Sequence, residues 1–157
     1  LIKEQKKAAA VLGVPESVVE VMDFPVRHFP ECRQKILQKL VDTKNEFKPD
    51  MVFCASLKDV HQDHATLAEE AQRAFKDTTI LGYNMPWNII HENRTVHVEV
   101  AQRHIDAKML SVRCYDSQKH RKYFAADTLE IIMRANGIAI GVENAETFEL
   151  IKNVERL

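Results

Sequence analysis

The stretch from Met51 to Tyr83 constrains this chain more than any other. MVFCA (51–55) and TILGY (79–83) are short apolar runs of strand length. Between them, ATLAEEAQRAF (65–75) can set Ala65, Ala68, Ala71 and Phe75 on one helical face. An uninterrupted apolar strand asks for cover on both faces, and a strand–helix–strand unit joins neighbours in parallel. The expected class is therefore α/β, a sandwich with a largely parallel sheet.

The flanking sequence extends the pattern. IKEQKKAAAVL (2–12) is rich in helix formers and Gly13 follows as a stop. VVEVM (18–22) is β-branched and lies between Pro15 and Pro25, which predicts a strand. Pro30 and Glu31 open a helix in which Ile36, Leu37, Leu40 and Val41 recur at helical spacing through about Phe47. Lys48-Pro49-Asp50 breaks it. TVHVEV (95–100) alternates like a half-exposed strand, while 101–116 and 123–136 read as helices, the second ended by Gly137. GIAIGV (137–142) reads as a short turn or strand, and ETFELIKNV follows. No repeat or linker interrupts a single expected domain over 1–157.

With 157 residues and a net charge of −1, the chain has the size for one core and no basic surplus for nucleic acid or anionic lipid. No apolar run reaches the roughly 20 residues of a membrane span. Cys32, Cys54 and Cys114 are odd in number and form no CxxC pair, which predicts reduced thiols in a cytoplasmic protein.

Immediately past MVFCA comes DVHQDH (59–64). In an open α/β sheet the ligand crevice lies beyond the carboxyl ends of the strands, so this loop is a site candidate by position. His61 and His64 are three apart at a loop-to-helix junction and can aim two imidazoles at one volume. Neutral imidazole is a common zinc ligand, and a nearby carboxylate orients such a ring by accepting its other N–H. Asp63 also suits the first turn of a helix, where a negative charge meets the dipole. HxxH alone is a weak motif, and surface histidines near a helix start explain it equally well. A catalytic zinc usually has three protein ligands. His28, His91, His97, His104 and His120 form no recognisable set, and His97 reads as structural.

Several spaced segments together resemble the PIG-L-type (LmbE-like) zinc-dependent de-N-acetylases. Glu4, Ala8, Leu12 and Gly13 are similar to the family's first helix. KPDMVFCASLKDVHQDH resembles its PDxV…DxHxDH strand and loop. ILGYNMPWN (80–88), YDSQ (115–118) and GIAIGVENAETFELI (137–151) are similar to later segments. The resemblance runs along nearly the whole chain. It implies a Rossmann-like three-layer sandwich with a mostly parallel sheet and Zn2+ at its carboxyl end. It also implies hydrolysis of the N-acetyl group of an amino sugar or its conjugate, giving acetate and a free amine.

By the same resemblance His64 is a zinc ligand and His61 steadies the oxyanion. Asp63 orients a histidine or meets the substrate. The remaining ligands and the general base belong to an AHPDDE motif that normally precedes the first helix and has no counterpart here, so the domain is expected to be N-terminally incomplete. Asn136, Asn144 and Asn84 depart from the family's usual Arg, Tyr and acid. Arg27 in FPVRHF suits a hydroxyl, phosphate or carboxylate. Trp87 suits a sugar face or core packing. Asn84 and Asn88 suit sugar hydroxyls or a turn. Ser117, Gln118, Glu146 and Phe148 read as framework.

The expected partner is a small N-acetylated sugar, with no nucleic acid and no membrane span. A homo-oligomer is an open alternative, because a sheet edge without its neighbour accepts another strand. The rival to an enzyme is a catalytically silent member that binds sugar or acts as a scaffold. A nucleotide-binding Rossmann protein is disfavoured, since neither GxGxxG nor a Walker A loop occurs.

Overall fold

The computed structural model describes residues 1–156. The regular elements among them are α1 (Ile2–Val11), α2 (Arg33–Phe47), β1 (Met51–Ala55), α3 (Gln62–Ala74), β2 (Thr79–Tyr83), β3 (Val96–Glu99), α4 (Gln102–Val112), α5 (Ala126–Ile138) and β4 (Ala145–Lys152). Short 3₁₀ turns join several of them. The chain divides into two compact units, one of Leu1–Asp23 with His97–Glu146, the other of Phe24–Val96 with Thr147 onward.

In the second unit, β1, α3 and β2 form the expected parallel unit, with Met51 opposite Thr79 and Ala55 opposite Tyr83. Pleating sends Val52, Cys54 and Ile80 to one face, where Ala68, Ala71, Ala74 and Phe75 of α3 and its end meet them. Leu37, Leu40 and Val41 of α2 pack against the same cluster. Burying Phe75 and Ile80 stabilises this contact by about 1.5–3 kcal/mol each. Helix α2 ends at Lys48, which adopts the left-handed conformation before Pro49.

The largely parallel sheet is corrected. The strands follow the order β1-β2-β4-β3, and β4 runs antiparallel to β2. The reason lies in residues 84–95, which follow β2 without a helix, so no second parallel crossover forms. Nor does helix cover both faces of the β1–β2 pair: Met51 and Phe53, on the face away from α3, are 50% and 54% exposed.

The first unit is built on helices. Ala8 and Ala9 of α1 are buried, and Ser111 Oγ of α4 donates to Ala8 O at 3.2 Å. Ile105, Met109 and Met133 join α4 to α5, with Val100 and Leu129 beside them. Glu4 accepts from Ser117 N at 2.9 Å and Ser117 Oγ at 2.7 Å, so the framework reading of Ser117 has a definite partner.

Two local expectations fail here. VVEVM is not a strand: a 3₁₀ turn covers Glu16–Val18, and the extended residues beyond it join no ladder. β-branched composition favours a strand only where a neighbour supplies hydrogen bonds. Helix α5 runs past Gly137 to Ile138. A Cβ on Gly137 would lie 2.7 Å from the Asn144 nitrogen, so this glycine serves a close backbone crossing rather than a helix stop.

Candidate functional site

Every proposed site residue falls in the second unit. The loop after β1 turns at Ser56, where Asp59 N donates to Ser56 O at 3.1 Å. It then passes beside residues 88–89: Val60 N donates to Asn88 O at 3.1 Å, and Asp59 bridges Ile89. His61 is the N-cap of α3. Its Nδ1 accepts from Asp63 N at 3.2 Å, filling one of the orphan donors of the first turn.

Asp59 is the hub. Its side chain has no exposed surface. One oxygen accepts from His61 N at 2.8 Å and the other lies 2.7 Å from His64 Nδ1. Asn88 Nδ2 donates to that second oxygen at 3.4 Å. The two imidazoles stand side by side, centroids 4.9 Å apart.

These bonds fix opposite tautomers. A backbone N–H donates to His61 Nδ1, so the neutral ring carries its proton on Nε2. His64 Nδ1 faces a carboxylate, so in the neutral ring the proton sits on Nδ1 and Nε2 keeps a lone pair. Adjacent rings thus present one donor and one acceptor.

Asp63 is buried and takes a different place from the histidine pair. Its oxygens accept from Arg27 N at 2.6 Å and Phe29 N at 3.2 Å. It therefore anchors the 27–29 segment, and Arg27 is held at φ 72, a conformation uncommon outside glycine. The Arg27 side chain is exposed. Asn84 follows β2 directly, and both polar atoms of its side chain are buried without a hydrogen-bond partner. Leaving such a group unsatisfied costs about 1–3 kcal/mol. Trp87 is 75% exposed, which removes its core-packing alternative. Under the loop, burial and then the charge of Glu149 push the Cys54 thiol up to about 11, so it stays protonated at neutral pH.

Among the residues this geometry brings together, Glu149 carries no role in the motif reading above, whereas Asp59 is one of the two carboxylates of DVHQDH expected to orient an imidazole. Asp59 was visible as a carboxylate in DVHQDH; its five-residue spacing to His64 is the signal that distinguishes it from Asp63.

Residues 2–75 match the profile of the PIG-L family, GlcNAc-PI de-N-acetylase. The match covers just under half of the chain. The matched region carries the whole DVHQDH loop of this chain. No curated protein matches its sequence. Among solved structures, a conserved protein of Thermus thermophilus aligns with TM-score 0.71 and 20% identity, over 99% of this chain and 74% of that one. The 4-carboxy-2-hydroxymuconate hydratase of Pseudomonas putida aligns at 0.70 and 15%, over 99% and 73%. The N,N'-diacetylchitobiose deacetylase of Pyrococcus horikoshii aligns at 0.64 and 20%, over 94% and 61%. A hydratase and a deacetylase share the fold, so the fold alone does not select the chemistry.

Zinc is the group the family resemblance implies. His64 fits it as one ligand, because buried Asp59 holds Nδ1 and leaves Nε2 as the donor. Among the described residues, no group of three or more histidine, cysteine or acidic side chains forms a metal cluster. The donor set on this chain is thus partial. No helix of the described residues is long and apolar enough to cross a membrane.

Proposed function

We propose that this chain is of the PIG-L type and serves the hydrolysis of the N-acetyl group of an amino sugar or its conjugate, releasing acetate and a free amine. The observation that carries the reading is the pair of adjacent imidazoles held in opposite tautomers. Amide hydrolysis needs a donor for the oxygen that gains charge and a separate site for the electrophile. His61 Nε2–H suits the first role and His64 Nε2 the second. His64 Nε2 would hold a zinc ion as one ligand, and the ion would supply Lewis-acid polarisation of the carbonyl and activation of a water.

In the segment after β2, the exposed Trp87 ring suits a sugar face and the buried, unpartnered Asn84 amide suits a sugar hydroxyl or amide. Arg27, presented on a backbone clamped by Asp63, suits an anionic or hydroxyl group of the conjugate. Asn88 holds the loop through its backbone and touches Asp59, which leaves it beside any substrate at His64.

One observation favours a second reading, a silent sugar-binding or scaffold member. Asp59 and Asp63, the two acids of the loop, are both engaged in internal hydrogen bonds, so neither stands ready as a general base.

Elemental analysis separates the two. Purified without chelator and supplied with zinc, the chain should hold near one equivalent, lost in His64→Ala and kept in His61→Ala. Zinc binding that does not depend on His64 would overturn the assignment, and equal loss in both variants would refute the division of roles.

A further inference from the structure

Behind the loop lies a carboxylate that no motif marks. Glu149 of β4 is 6% exposed, yet it is fully bonded. Its Oε2 accepts from Ser56 Oγ at 2.7 Å and from Leu57 N at 2.9 Å, and its Oε1 accepts from Asn93 Nδ2 at 3.0 Å. Ser56 Oγ in turn accepts from Lys58 N at 3.1 Å. One carboxylate thus fixes three successive residues, 56–58, immediately before Asp59.

Gly82 lets this happen. A Cβ there would come within 3.0 Å of Ser56 Cα and 3.3 Å of Glu149 Oε2. The strand between the loop and the carboxylate therefore carries no side chain at the crossing. Acceptance of two donors by one buried, charged oxygen is strong and directional.

We infer that Glu149 is a positioning residue: it sets the 56–58 turn and so fixes Asp59, which in turn fixes the tautomer of His64. The inference deepens the proposed site, but its main readout needs no activity. A carboxylate that merely stabilised the fold would leave the His64 tautomer alone once the chain was folded.

The test is nitrogen NMR of the full chain labelled at histidine, with signals assigned by His64→Ala. Wild type should show His64 as the Nδ1–H tautomer. Glu149→Ala removes all three acceptor contacts and should shift His64 to the tautomer mixture seen in Asp59→Asn, with unchanged far-ultraviolet circular dichroism. Glu149→Gln should restore the wild-type signal, because its oxygen can serve Ser56 and Leu57 while the exposed Asn93 amide turns over. A folded Glu149→Ala chain with the wild-type His64 signal overturns the inference. Should that variant fail to fold, Ser56→Ala carries the test: a partial shift supports the inference, and an unchanged signal overturns it. Loss of deacetylation with an unchanged tautomer would count against Glu149 and leave the proposed function standing.

Discussion

His64 Nδ1 lies 2.7 Å from Asp59 Oδ2, and that carboxylate is closed to solvent while the imidazole is 32% exposed. The half-buried ring is therefore held at Nδ1. Replacing Asp59 by Asn removes the charged acceptor and keeps the shape. Partners of this kind typically cost about 10–100-fold in activity or metal affinity when altered. Asp59→Asn should fall in that range in both zinc titration and kcat/KM, with the chain still folded. A change under twofold in either would contradict the orientation role.

His61 has two roles that substitution can separate. As N-cap of α3 it accepts from Asp63 N, and loss of a cap costs about 1 kcal/mol. Asn caps well, whereas Ala does not. His61→Asn should therefore remain close to wild type in urea unfolding, with His61→Ala lower by that amount. Both should lose the Nε2–H donor, and turnover should drop about 10²–10³-fold in each. Turnover retained in His61→Asn would assign the residue to capping alone.

The strand–helix–strand unit and the place of the DVHQDH loop within it were legible in the sequence because both depend on local patterns. MVFCA and TILGY are continuous apolar runs, and the loop after the first must lie at the carboxyl edge. The direction of β4 was not legible. It depends on how residues 84–95 and the helices after β3 route the chain, which no local period records. The same holds for Asp63 and Asp59. Both are acids beside a histidine, and only the folded loop shows that one meets backbone at Arg27 and the other meets His64. Glu149 was invisible for a related reason: its partners at Ser56 and Asn93 are distant in sequence.

Glu70 illustrates a buried charge whose partners carry it. Its side chain is fully buried, and Arg33 Nη2 and Arg73 Nη1 each lie at 2.6 Å. Stripping both guanidinium groups, in an Arg33→Met, Arg73→Met double variant, leaves Glu70 uncompensated at a cost of about 3–5 kcal/mol. Glu70→Met should cost less, since the two arginines are half-exposed and return to water. Urea midpoints check the order, and the reverse order would contradict it.

Glu4 gives a pH signature in the other unit. The Ser117 hydroxyl, and then its backbone N–H, hold the Glu4 carboxyl below the usual range. A carboxyl lowered on folding adds stability that is present above its unfolded value of about 4.3 and lost as pH falls through the folded value. The Ser117 amide signal should therefore titrate below the range of exposed glutamates. In Ser117→Ala the Glu4 midpoint should rise toward that range. Equal midpoints in both chains would contradict the assignment.

Acetate release tests the central claim most directly. The full chain, supplied with zinc and an N-acetylated amino sugar such as N,N'-diacetylchitobiose, should release acetate in a reaction abolished by His64→Ala and cut about 10²–10³-fold by His61→Asn. No acetate above the His64→Ala background would contradict the hydrolytic account and favour the sugar-binding or scaffold reading.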